Sequence, residues 1–96
     1  MIICIDIDGT LTVETEDHNY EKRTPNLPMI KWVRAMSLIE GHTIIIHTAR
    51  WEVDRKITEV WLKHYNIPYD RLILGKPKAD LYIDDKAKRP EEILSA

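Results

Sequence analysis

Asp6 and Asp8 stand two positions apart, where the apolar run IICI of residues 2–5 gives way to Gly9-Thr10. Polar residues of related kinds close the later apolar runs. Thr48 follows TIIIH (43–47), and Asp84 and Asp85 follow LYI (81–83), with Lys76 in the preceding loop GKPK. In an open parallel sheet, ligands bind beyond the carboxyl ends of the strands. Three strand ends would therefore deliver four carboxylates and a hydroxyl to one crevice, with Lys76 able to join them. Carboxylates that close together repel unless a cation neutralises them or some take up protons. Hard oxygen donors without a cysteine or histidine cluster favour Mg²⁺ over zinc. Magnesium keeps several waters and takes one or two protein carboxylates, so not all four need be ligands. A lysine and a threonine beside such a site are what a phosphoryl group needs to balance the charge on its equatorial oxygens.

The elements that must position these groups are readable from pattern. Residues 2–7, IICIDI, are β-branched and nearly continuously apolar, which predicts a strand covered on both faces, as in a parallel sheet. TIIIH repeats the pattern, LYID (81–84) does so more briefly, and RLIL (71–74) is a fourth, weaker strand. Asn26 is placed to cap a helix with Pro28 in its first turn, apolar at Ile30, Val33, Met36 and Ile39, and ending at Gly41. A second helix has Val53, Ile57, Val60, Trp61 and His64 on one face and ends at Asn66 and Pro68. Residues 86–95 read as a last short helix, with Pro90 near its start or breaking it. This order is α/β. Right-handed crossovers then predict a three-layer, Rossmann-like domain with a central parallel sheet. Residues 12–24 are polar, carry no helical stripe and have a turn-like centre, so they read as a short flap or hairpin.

The bulk composition sets limits on partners. The 96 residues, 44% hydrophobic and 31% charged, suit one globular domain, 1–96, without linker or repeat. The net charge of −2 gives no general pull toward nucleic acid or membrane, although a local basic patch remains compatible with it. The single cysteine, Cys4, allows no intrachain disulfide and suits a reducing compartment. No apolar stretch approaches the roughly 18 residues of a membrane span, and Asp6 and Asp8 interrupt the first run too early for a signal peptide. A cytoplasmic location is the expectation.

With Asp6-Ile7-Asp8-Gly9-Thr10 after the first strand, Thr48 after the second, Lys76, and Asp84-Asp85 after the last, the chain resembles the haloacid dehalogenase-like superfamily on its phosphatase side. The resemblance runs from residue 2 to about 87. It implies that Asp6 is the nucleophile, giving an aspartyl-phosphate that water hydrolyses. It implies that Asp8 protonates the leaving oxygen and then deprotonates that water. Gly9 permits the tight turn that brings backbone amides, with Thr10, near the phosphate. Thr48 and Lys76 would hold the transferring group, with Ala49 beside them. Mg²⁺ would be bound by Asp6, the backbone carbonyl of Asp8, and Asp84, while Asp85 orients Lys76 or a metal-bound water. Lys78 is the alternative to Lys76. An aspartate at position 8 argues against halide displacement, which needs no leaving-group acid, and against the ATPase branch, which carries threonine there.

With no cap domain, the implied site is open. It suits a nucleic-acid 3′-phosphate end, a protein, or a small phosphorylated metabolite enclosed by a neighbouring subunit of a homo-oligomer. Arg50, two residues past Thr48, is placed to grip a second substrate anion. Trp51 is placed to stack on a base or sugar, whereas Trp32 and Trp61 read as core. His47 reads as a core histidine, His42 and His64 as structural or solvated, His18 as an exposed flap residue, and Cys4 as a packed hydrophobe. The readings from other classes are a receiver-like signalling domain and a non-catalytic phosphate-binding module. A receiver places its phosphorylated aspartate after a middle strand, and here that strand ends in His47-Thr48.

Overall fold

The centre of the sheet is Thr43–His47 (β2). It pairs in parallel with Ile2–Ile5 (β1) on one side and with Arg71–Ile73 (β3) on the other, giving the order β1-β2-β3. The structure is a computed structural model and describes residues 1–14 and 19–95. The fold is α/β and Rossmann-like. The helix Leu27–Ser37 (α1) connects β1 to β2, Arg55–His64 (α2) connects β2 to β3, and Pro90–Leu94 (α3) packs against α1.

Local chemistry explains the helix ends. Asn26 caps α1 by accepting from Met29 N at 3.3 Å, and its amide nitrogen donates to the Thr10 carbonyl at 3.1 Å, so the cap also anchors the loop after β1. After α2 the chain reverses through Asn66, which takes a left-handed φ of 53°. The first carbonyls past α2, at Tyr65 and Asn66, accept from the Arg34 guanidinium on α1.

Burial along the strands alternates instead of being continuous. Ile5, Ile44 and Ile46 are buried and pack with Ile7, Leu11, Ile30, Val33 and Leu62 in one core, while Ile2 and Cys4 on the other face of β1 are exposed. The expectation of a packed Cys4 is therefore corrected. Among the described residues β1 pairs with β2 alone, so its outer edge and one of its faces are open.

Two further expectations change. Residues 71–73 form the third strand and residues 81–84 do not form a fourth. Leu81 and Ile83 are exposed, and the Tyr82 hydroxyl turns back to donate to the Pro77 carbonyl and accept from Ala79 N at 3.2 Å. That closed loop over 77–82, followed by the charged run 84–88, takes the short apolar run out of an extended pairing. On α2 the buried residues are Thr58, Trp61 and Leu62, whereas Val60 and His64 face outward, as does Val53 in the turn before it. The buried face is thus rotated from the apolar stripe, because Thr58 supplies its hydroxyl to a buried arginine.

Candidate active site

The turn after β1 is built on one carbonyl. Ile7 O accepts from the amides of Thr10, Leu11 and Thr12 at 3.0, 2.8 and 3.1 Å, which curls the chain immediately after Asp6. Gly9 sits at φ 84°, a conformation that costs a residue with a side chain about 1–2 kcal/mol, and its amide donates to Thr12 Oγ1 at 3.1 Å. Asp6 Oδ1 accepts from Ile7 N at 2.8 Å, leaving Oδ2 directed at Lys76.

Beyond β2 and β3 the two strands continue to hold each other. Thr48 N donates to Ile73 O at 3.0 Å, Lys76 N to Thr48 O at 2.9 Å and Gly75 N to Arg50 O at 2.9 Å. This backbone zipper carries Lys76 to the end of β1, where its Nζ lies 3.9 Å from Asp6 Oδ2 and 4.1 Å from the centre of the Tyr82 ring. Burial pushes the Asp6 carboxyl above its ordinary range, opposed by the Ile7 amide and by the charges of Lys76 and His47. Burial, and then Lys76, hold His47 below the ordinary histidine value, with Asp6 pulling the other way. His47, at the end of β2, thus belongs to the electrostatics of Asp6 and is not simply a core residue.

Asp8 faces a different set of groups. Its two oxygens accept from Arg50 Nη2 and Nε at 2.8 and 3.0 Å, a bidentate pair. Arg50 Nη1 donates to Thr58 Oγ1 at 3.1 Å, and the guanidinium lies 3.9 Å from the centre of the Tyr20 ring. With 1% of its side chain exposed, Arg50 is fully engaged inside the protein. The expectation that it grips a substrate anion is corrected, since its hydrogen-bonding edge is turned to Asp8 and Thr58. Arg23 approaches the same carboxylate from the flap, with Nε 3.7 Å from Asp8 Oδ1.

No family model and no curated protein matches the chain. Among solved structures, a crystal structure of a target from Vibrio cholerae superposes with a TM-score of 0.86 at 32% identity, covering 99% of this chain and 88% of that one. The chain belongs to the family of that Vibrio cholerae protein. It is also similar to chains in structures of the Pnkp1/Rnl/Hen1 complex, described in one case as an RNA repair complex. Those matches are 26% identical with TM-scores of 0.67 and 0.66. They cover 97% of this chain, which spans 33% and 28% of the larger chains.

In this member of the family, Asp6, Asp8, Gly9, Thr10, Thr48, Ala49 and Lys76 lie on the turn after β1 and the zipper after β2 and β3. Thr48 is buried, and its hydroxyl accepts from Arg50 N at 3.2 Å, so it caps a turn within 48–50 and not a helix. Lys78 is exposed and makes no ion pair among the described residues. Among the described residues no hydrogen bond, ion pair or metal-type cluster joins Asp84 or Asp85 to Asp6. Asp84 is exposed and accepts from Lys86 N at 2.9 Å, which with an Asp85 hydrogen bond holds its carboxyl below the ordinary range. Among the described residues no three acidic, histidine or cysteine groups gather as a metal site. Burial disfavours the ionised form of the Asp6 carboxylate, which a nearby cation would favour.

Trp51 is 72% exposed at the rim, and Trp61 is buried. His42 Nδ1 lies 3.0 Å from the amino terminus, and His64 is exposed. His18 lies outside the described residues. Tyr20, Arg23 and Thr58 were not singled out by pattern, because their contacts with Arg50 and Asp8, across 8 to 30 positions, leave no periodic trace. Among the described residues no helix is long and apolar enough to cross a membrane.

Proposed function

We propose that the protein is a Mg²⁺-dependent phosphomonoester hydrolase of the haloacid dehalogenase-like type. The observation that carries this reading is the juxtaposition of Asp6 and Lys76, 3.9 Å apart, with Asp8 on the same turn. Its similarity to chains of an RNA repair complex gives independent support for phosphoester chemistry.

In the proposed reaction Asp6 Oδ2 attacks phosphorus, the bond from phosphorus to the alcohol oxygen breaks, and Asp8 gives its proton to that oxygen. Water, deprotonated by Asp8, then attacks the aspartyl-phosphate, releasing inorganic phosphate and restoring Asp6. Lys76 balances the charge of the phosphoryl oxygens throughout. The acid form of Asp8 carries its proton on one of the two oxygens that accept from Arg50, which weakens that hydrogen bond. Arg50 is accordingly a positioning residue, held in place by Thr58 and Tyr20. Mg²⁺, held by the Asp6 carboxylate and the Asp8 carbonyl, would neutralise the phosphate as it approaches a carboxylate.

The test is phosphate release from p-nitrophenyl phosphate and from a panel of phosphometabolites and 3′-phosphorylated oligonucleotides, in Mg²⁺ and in EDTA. Metal-dependent turnover that Asp6→Asn and Asp8→Asn abolish is the expected result. Wild-type activity in Asp6→Asn sinks the nucleophile assignment, and silence across the whole panel sinks the phosphatase reading.

A further inference from the structure

Besides Arg50, which is paired with Asp8, two further cations approach the aspartates, and they serve different partners. Lys76 lies beside Asp6, and Arg23 lies beside Asp8. Arg23 has 13% of its side chain exposed, and its Nε is buried with no hydrogen-bond partner among the described residues. The nearest carboxylate oxygen, Asp8 Oδ1, is 3.7 Å away, beyond hydrogen-bond reach, and already accepts from Arg50 Nη2 at 2.8 Å. A guanidinium taken from water without an acceptor is costly, and a ligand that supplies the acceptor is one established reason for keeping it. The residue is not loosely placed. Its carbonyl accepts from Trp61 Nε1 at 3.0 Å, the next carbonyl accepts from Val13 N at 2.9 Å, and its guanidinium lies 5.6 Å from the centre of the Tyr20 ring.

Which part of a substrate Arg23 would meet follows from Asp8. If Asp8 protonates the leaving oxygen, the groups around its carboxylate face the alcohol side of the ester, while Lys76 faces the phosphoryl side. Arg50 closes one side of Asp8, gives three of its five N–H groups to Asp8 and Thr58, and at 1% exposure is shut off from a ligand. Arg23 is then the cation available to the leaving group, and a forked donor suits a planar or tetrahedral oxyanion. We propose that Arg23 binds a second anionic group, a carboxylate or a phosphate, carried by the alcohol part of the substrate. This rests on the phosphatase reading of Asp6 and Asp8, and it narrows the substrate class to phosphomonoesters of anionic alcohols.

Matched pairs of esters test it with the full chain in Mg²⁺. Glycerol 3-phosphate is compared with 3-phosphoglycerate for the carboxylate, and adenosine 3′-phosphate with adenosine 3′,5′-bisphosphate for the second phosphate. The readout is the ratio of kcat/KM within each pair. Wild type is expected to favour the anionic member of one pair by about 10- to 100-fold, the worth of a charge-assisted hydrogen bond, and to do so through KM. Arg23→Gln is expected to erase that ratio and Arg23→Lys to keep part of it. Whichever pair responds identifies the anion. No preference in either pair, or a preference that survives Arg23→Gln, overturns the proposal. Calorimetric binding of the same compounds in EDTA separates the two levels. Arg23-dependent preference in binding, with no ester hydrolysed in Mg²⁺, refutes the phosphatase reading and keeps the anion site. Equal binding of both members of each pair by wild type and Arg23→Gln refutes the anion site, whatever is hydrolysed.

Discussion

Arg50 holds both carboxylate oxygens of Asp8, at 2.8 and 3.0 Å, from a position where 1% of its side chain reaches solvent. The pair joins the turn after β1 to the segment after β2, and through Thr58 to α2. Removing one partner of a buried pair costs roughly 3–5 kcal/mol, because the other charge is left uncompensated. Asp8 is a third exposed, so water screens part of that loss. Arg50→Met is therefore expected to lower the unfolding free energy by about 2–3 kcal/mol, read from urea denaturation. Arg50→Lys, which keeps the charge and loses the fork, should fall between the two.

Asp6→Asn should separate stability from function. Burial raises the Asp6 pKa in the folded state above its ordinary 3.8. The stability this group contributes is thus fully present below that ordinary value and is lost as pH rises through the raised folded value. At pH 7 an ionised Asp6 is a net cost to the metal-free fold, and the amide removes it. We expect Asp6→Asn in EDTA to have a higher urea midpoint than wild type at pH 7 while turnover is lost. A lower midpoint would mean that the Lys76 pairing outweighs burial.

His47 has the opposite sign on the acid side. Its folded pKa is depressed below 6.5, so its contribution is present above 6.5 and is lost as pH falls through the lowered folded value. The urea midpoint of wild type should decline over that window. In His47→Gln the decline should be shallower, measured in the same buffers.

Lys76 and Lys78 should differ sharply. Lys76→Ala removes the cation beside Asp6 and should reduce kcat/KM by about 10²–10³, as for loss of one donor that stabilises transition-state charge. Lys78→Ala, at an exposed position without an ion pair, should cost far less. Equal losses in the two variants would contradict the distinction that the zipper between Thr48 and Lys76 draws between them.

Much of the fold was legible because it rests on local signals. The β-branched runs of β1 and β2, the Asn26 cap and the stop at Asn66 and Pro68 each act within a few residues. The strand ends also told where Asp6, Asp8 and Lys76 sit, since chain direction in a parallel sheet fixes which loops converge. The arginine arrangement around Asp8 was not legible. Arg50 reads as a cation placed to grip a substrate anion until Thr58 and Tyr20, on two other elements, are known to enclose it. The same contact explains the misread face of α2, where Thr58 is buried and Val60 is not. LYID misled for a related reason. Its composition fits a strand, but a ladder needs a neighbour, and Tyr82 bonds back into its own loop.

The open outer edge of β1 bears on how the protein behaves when concentrated. A bare parallel edge offers main-chain donors and acceptors to any extended segment, including Leu81–Ile83 of another molecule, which is exposed and β-branched in part. An edge on one copy and a donor segment on the next make a head-to-tail contact, and contacts of that kind propagate unless a rotation closes them. The charges that flank the apolar run, Asp80 before it and Asp84, Asp85, Lys86 and Lys88 after it, act as gatekeepers against such growth. All five are exposed, so neutralising their charge would weigh on association between molecules and not on packing within one.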